Sequence, residues 1–230
     1  MSDSDLILWR ENGTPVSARF DDPYYSVEDG WAETRHVFLA GNDLLARLTP
    51  GFHVAELGFG TGLNLMALAA EAPCPIRFTS FEAFPLARDD MARAAARFPG
   101  LAPQAEALLA AYRPEGGRFQ LGPVSVELII GDARATLPRW DGLADAWFLD
   151  GFAPARNPEL WSKALMAEVG RHTAPAGTFA TYTSAGAVRR ALTAAGFTVT
   201  KRPGYGRKRE MSTGRRGPGR QDPAEGHTPD

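Results

Sequence analysis

The sequence predicts an α/β fold: a doubly wound, mostly parallel sheet with an N-terminal hairpin and helix extension. Three observations carry that prediction. Short apolar runs alternate with helical patterns from residue 52 onward, and strands alternating with helices of this length build parallel sheets through right-handed crossovers. A glycine turn, Gly58-Phe59-Gly60-Thr61-Gly62, joins the first of these strands to its helix. Acids stand at or just after the ends of later strands, at Glu82, Asp132 and Asp150, where open α/β sheets bind ligands.

The elements follow in order. Leu6–Trp9 and Thr14–Ser17 flank Asn12-Gly13, a two-residue hairpin signal. A polar aromatic loop, Phe20–Tyr25, leads to a helical pattern over 32–48, carried by Val37, Leu44, Leu45 and Leu48 and weakened by Gly41. The alternation then predicts strands at 52–57, 76–81, 119–121, 124–130, 144–149 and 177–182, with helices at 63–70, 86–98, 101–112, 158–172 and 185–195. Residues 197–201 and a stretch near 209–213 read as a terminal antiparallel pair. The expected organisation is an extension over 1–50, a catalytic domain over 51–213 and a Gly/Pro-rich, disordered tail over 214–230.

Composition excludes several classes. The chain of 230 residues suits one domain with a small appendage. A single cysteine, Cys74, rules out an internal disulfide and a multi-thiolate zinc site, and four scattered histidines offer no metal pair. No apolar run nears the ~18 residues of a membrane span. The N-terminus lacks a basic and then apolar leader pattern, so a cytoplasmic location is expected. The net charge of -2 conceals an asymmetry: residues 188–220 carry ten of the 25 basic side chains and one acid, Glu210. Such a segment is either a surface for a polyanion or a solvated tail end.

The glycine turn reads G-x-G-x-G. Leu63 stands where a dinucleotide fingerprint wants its third glycine, and no G-K-[ST] follows. Glu56 precedes the turn, Glu82 ends the next strand and can accept both hydroxyls of a ribose, and Asp132 follows a further strand, at the edge of an adenine. One such acid is explained as a helix cap; three beside a glycine turn point to an adenosine ligand. The arrangement resembles class I S-adenosylmethionine-dependent methyltransferases, with their Rossmann-like sheet. The resemblance implies that Glu56, Gly58, Phe59, Gly60, Gly62, Asn64, Glu82, Asp132 and Asp150 bind S-adenosylmethionine, Glu56 holding its amino group directly or through water. No metal is implied.

Asp150-Gly151-Phe152-Ala153-Pro154 ends another strand. It resembles the D/N-P-P-Y/F motif of amino-group methyltransferases, though glycine and phenylalanine stand in other places. Asp150 is the candidate catalytic residue: it can aim an amine, and Phe152 can wall the substrate. The alternative, that Asp150 caps the helix near Pro158, is weakened by Asn157, a nearer cap.

A narrower resemblance rests on Phe148–Trp161, Glu56–Asn64, Thr181–Gly186 with Val188-Arg189-Arg190, Gly204–Met211, and Phe20–Ser26 with Glu33-Thr34-Arg35. These stretches are similar to the methyltransferase domain of the bacterial enzyme that makes 5-methylaminomethyl-2-thiouridine at the tRNA wobble position. The resemblance implies methyl transfer to the aminomethyl nitrogen of 5-aminomethyl-2-thiouridine, with the tRNA anticodon stem-loop as partner. It also implies a flavin-dependent oxidoreductase, acting in trans or as a missing second domain. Arg207, Lys208 and Arg209 would then hold phosphates, as would Arg189 and Arg190 unless these only face solvent. Tyr24 and Tyr25 either stack on a splayed base or pack under their loop. Glu33 and Arg35 either line the active site or form an exposed ion pair. Two rivals stay open: a polyamine synthase-like small-amine transferase, which would want acids at its mouth, and a non-catalytic RNA-binding module.

Overall fold

The computed structural model describes residues 7–217. A small antiparallel sheet comes first: β1 (Ile7–Trp9), β2 (Pro15–Ser17) and β3 (Asp22–Pro23). The expected helix over 32–48 is broken. α1 (Gly30–Thr34) passes into a π-helical turn, Arg35–Ala40, and α2 (Leu44–Arg47) follows separately. Asn42 explains the break: it is buried, and its Nδ2 donates to Phe38 O at 3.0 Å and to Trp147 O at 3.2 Å. The chain thus turns against the sheet instead of continuing as a helix.

The main sheet contains β4 (His53–Leu57), β5 (Ile76–Glu82), β6 (Gly117–Leu121), β7 (Val124–Ile130), β8 (Ala144–Leu149), β9 (Thr173–Thr181), β10 (Phe197–Pro203) and β11 (Glu210–Arg216). Its order is β10-β11-β9-β8-β4-β5-β7-β6. The central pairings β7-β5-β4-β8-β9 are parallel. β6 and the β10–β11 pair are antiparallel edges. The expected terminal pair therefore exists, but β11 inserts between β10 and β9. It also runs through Arg216, so residues 214–216 are strand and not tail; residues 218–230 of the expected tail lie outside the described residues, as does Leu6.

The sheet buries both faces by strict alternation. Val54, Phe78, Val126, Phe148 and Ala180 face one cluster with α3 (Leu63–Glu71), α4 (Arg88–Ala95), α5 (Ala102–Ala111) and the first helices. Ala55, Phe81, Trp147, Leu149 and Phe179 face the other, with α7 (Lys163–Arg171) and α8 (Gly186–Ala194); the short α6 (Ala133–Thr136) lies on that side too. The helix expected at 158–172 begins as a 3-10 turn, Pro158–Trp161. Ser162 then caps α7, its Oγ accepting from Leu165 N–H at 3.3 Å. Among the described residues, no helix is long and apolar enough to cross a membrane.

Candidate active site

The path of the chain across the sheet reverses at β4: β5 and β7 lie to one side, β8 and β9 to the other. Such a switch point opens a crevice at the carboxyl ends of the strands. Residues that follow β4, β5, β7 and β8 border a cavity of about 1100 Å³ there. Gly58, Gly60 and Gly62 have φ of 85°, 51° and 73°, a region L side chains avoid. A Cβ at Gly58 would meet the Asp150 carbonyl oxygen at 3.3 Å, so glycine lets the exits of β4 and β8 touch. Glu82 steadies the turn, accepting from Gly60 N–H at 2.9 Å and from Phe84 N–H at 2.7 Å.

Behind the turn lies a chain of carboxyls. Glu56 is opposite Ser80 on β5. Its buried carboxyl accepts from Ser80 Oγ at 2.6 Å and from Asn64 Nδ2 at 2.9 Å. Burial pushes it up to about 8. Asn64, in the first turn of α3, donates its other amide hydrogen to Asp150 Oδ2 at 2.8 Å, and its Oδ1 accepts from Thr34 Oγ1 at 2.8 Å. Asp150 Oδ1 accepts from Gly151 N–H at 2.8 Å. The enclosure of the Asp150 carboxyl raises it to about 7, although these bonds and the nearby Lys208 oppose the rise.

The N-terminal extension closes one wall. Phe152 stacks on Phe20 at 4.8 Å and meets Tyr24 edge-on at 5.0 Å between centroids. Asp22 Oδ2 accepts from Ala153 N–H at 2.7 Å, and Asp21 pairs with Arg156 at 3.0 Å. The strap over residues 20–25 therefore fastens the loop after β8. On the opposite wall, Tyr182 Oη donates to Gly151 O at 2.8 Å.

The structure brings together most residues singled out in the sequence, and moves some away. Gly58, Phe59, Gly60, Asn64, Glu82, Asp132, Asp150, Tyr24, Glu33, Phe152, Arg207 and Lys208 border the cavity. Phe59 does so while its ring stacks on Tyr112 in the core, 6.0 Å between centroids. Glu56 does not reach the cavity, because Asn64 and Ser80 take both its oxygens. Gly62 lies one step behind the wall, against Leu108 and Met91. Arg35 points away and pairs with Glu71 at 2.8 Å, whereas Glu33 pairs with Lys208, so the two do not pair with each other. Tyr25 borders the cavity too, but it is only 7% exposed and packs edge-on against Phe98, so most of its ring belongs to the core. Asp132 caps α6 and is clasped by Arg134, 2.5 Å from Oδ2 to Nη2. Asp150 caps no helix; its oxygens serve Gly151 and Asn64. Arg209 is exposed and outside the cavity wall. Lys208 turns inward, its Nζ 2.9 Å from Glu33 Oε1. Asp22, Thr34, Ser80 and Tyr182 complete the site; all but Ser80 lie in stretches that carry the resemblance, but their roles are not legible there, since each finds its partner across a long stretch of chain.

A family described as S-adenosyl-L-methionine-dependent methyltransferase matches residues 101–216, half of the chain. The chain belongs to this methyltransferase family. The methyltransferase is also 49% identical over 222 residues to the tRNA 5-methylaminomethyl-2-thiouridine biosynthesis bifunctional protein MnmC of Pseudomonas aeruginosa, covering 90% of this chain and 34% of that protein. The MnmC of Caulobacter vibrioides is 46% identical over 217 residues, covering 89% and 37%. The chain thus spans about a third of the length of these curated relatives. A crystal structure of MNMC2 from Aquifex aeolicus shares the fold, with a TM-score of 0.73 at 23% identity over 92% of this chain and 70% of that one. The cofactor of the methyltransferase is S-adenosyl-L-methionine, and the cavity suits it. A side-chain-free turn admits close approach, and Glu82 and Asp150 border the cavity with carboxyl groups, whose oxygens accept from hydroxyls and amines.

Proposed function

We propose that this methyltransferase acts on the aminomethyl nitrogen of a wobble 5-aminomethyl-2-thiouridine in tRNA. The observation that carries the reading is the Asp150 carboxylate, enclosed beside the Phe152 wall at the switch point. An amine nucleophile needs an acceptor to aim it and an apolar wall to hold the ring that bears it. The relatives, tRNA 5-methylaminomethyl-2-thiouridine biosynthesis proteins, supply the RNA and the base of this reading.

In this reading, Gly58, Phe59, Gly60, Gly62 and Asn64 shape the cofactor seat. Glu82 receives the ribose hydroxyls, and Asp132, where it caps α6, borders the adenine end. The cofactor supplies an electrophilic methyl group on a positively charged sulfur. An ammonium has no lone pair, so the substrate must be presented as a neutral amine. Asp150 accepts an N–H of that amine and orients its lone pair. Asn64 and the Gly151 N–H fix the carboxylate, and Glu56 acts through Asn64. Phe152, backed by Phe20 and Tyr24, lies against the base. Positioning of this kind supplies up to about 7–11 kcal/mol.

Residues 51 to 216 form the catalytic unit in this account, and the preceding residues form its strap and side wall. The work belongs in the cytoplasm, where tRNA lies, with a flavin-dependent oxidoreductase acting in trans or in a further domain. Mass spectrometry of nucleosides tests the reading directly. tRNA from cells lacking the activity, incubated with enzyme and cofactor, should gain one methyl on the aminomethylated wobble uridine. Methylation of free polyamines with none on tRNA would favour the small-amine transferase instead.

A further inference from the structure

Lys208 lies in the exposed turn between β10 and β11, yet its head group enters the cavity. Its Nζ is 2.9 Å from Glu33 Oε1 and 3.7 Å from the centroid of the Tyr182 ring. Both partners are fixed by other bonds. Glu33 is 8% exposed, and its Oε2 accepts from Ser26 N–H at 2.9 Å. Tyr182 is held by its bond to Gly151 O, one residue from Asp150. A fixed carboxylate beside an aromatic face is a receptor for an alkylammonium. Nothing in that pair is particular to lysine, whose head is a primary ammonium on a flexible stem. The turn that carries it closes on its own backbone, Gly204 N–H to Arg209 O at 3.1 Å and Lys208 N–H to Tyr205 O at 3.0 Å, while the Arg207 and Lys208 side chains are 95% and 42% exposed, so the Lys208 head can withdraw to solvent without the turn opening.

We propose that Glu33 and the face of Tyr182 form an alkylammonium subsite beside Asp150, filled in the free enzyme by Lys208 and, as the substrate arrives, by its protonated aminomethyl group, which passes its proton to water before Asp150 aims the neutral amine. The inference rests on the reading that the acceptor is an amine. It turns Lys208 from a phosphate contact into a placeholder. A placeholder keeps a charged pocket satisfied until its ligand arrives, since an unpaired buried carboxylate is costly. It also lowers the apparent affinity for any competing cation by the fraction of time the pocket is filled.

Benzylammonium, a ring bearing an aminomethyl cation, is the probe, with uncharged benzyl alcohol beside it. By calorimetry, Lys208→Met should bind benzylammonium at least about tenfold more tightly than wild type, as expected if Lys208 fills the pocket nine-tenths of the time. Benzyl alcohol should show no such gain. Adding Glu33→Gln, which can still accept from Ser26 N–H, should abolish the gain, and Tyr182→Leu should reduce it. Thermal melts of each variant confirm that it folds. Equal affinity in wild type and Lys208→Met overturns the proposal, as does an equal gain for benzyl alcohol or a gain that survives Glu33→Gln. Nucleoside analysis of tRNA treated with the wild-type enzyme is read separately. Methylation without a cation subsite rejects the subsite alone, and a cation subsite without tRNA methylation rejects the substrate reading alone.

Discussion

Asn64 Nδ2 lies 2.8 Å from Asp150 Oδ2, and this bond couples the carboxyl at the cavity to one that never reaches it. The second hydrogen of the same amide goes to Glu56 at 2.9 Å. Two carboxyls joined through one neutral amide in a dry setting resist ionising together. Burial raises both, Glu56 to about 8 and Asp150 to about 7. Ionisation of Asp150 puts a negative charge on the cavity side, where a bound amine meets it.

Methyl transfer should follow that charge. The single-turnover rate is expected to rise with pH through about 7, as Asp150 loses its proton. Asp150→Asn should lower the rate by about 10²–10⁴-fold, the range of positioned acid–base groups, and flatten this limb, with tRNA bound nearly as well. A wild-type rate in the variant would leave Asp150 a purely structural role.

Stability should show the other carboxyl. Glu56 titrates near 4.5 when unfolded and near 8 when folded. Between these values the folded chain holds a proton that the unfolded chain releases, so stability falls as pH rises from about 4.5 to about 8. The expected loss is of order a few kcal/mol, at about 1.4 kcal/mol for each pH step. Glu56→Gln mimics the protonated acid and should remove its share of this decline, leaving the smaller one that Asp150 contributes up to about pH 7. Urea midpoints at several pH values measure it, and parallel profiles for the two proteins would contradict it.

Cofactor affinity should depend on Glu82. Its carboxylate holds the Gly60 and Phe84 amides as well as the proposed ribose seat. Glu82→Ala should weaken S-adenosylmethionine binding by about 1.5–3 kcal/mol, the loss expected for charge-assisted bonds. Unchanged affinity by calorimetry would move the ribose elsewhere.

The outward cations remain candidates for phosphate contacts. Arg207 and Arg209 are exposed, whereas Lys208 turns in. Replacing both arginines by alanine should make the slope of log affinity for tRNA against log salt shallower by about 0.7–0.9 per lost contact. Filter binding across salt concentrations decides it, and an unchanged slope would place the RNA surface elsewhere.

The sequence by itself determined the local pattern. Period-2 burial in Val54-Ala55 and Trp147-Phe148-Leu149, and the helical period in 63–70, are properties of neighbouring residues, so strands, helices and the acids at strand ends could be read directly. The glycine turn was equally legible, because positive φ is paid for by composition alone. Tertiary structure decided which of those side chains meet. Glu56 finds Asn64 instead of the cavity, Arg35 finds Glu71, Lys208 finds Glu33, and Asn42 breaks a helix by bonding to Trp147 O. Insertion of β11 between β9 and β10 is likewise invisible in the hydrophobic pattern of either strand. The reason is physical. A local period fixes which way a residue faces, whereas a buried charge or amide takes whichever partner the folded chain brings within about 3 Å, from any distance along the sequence.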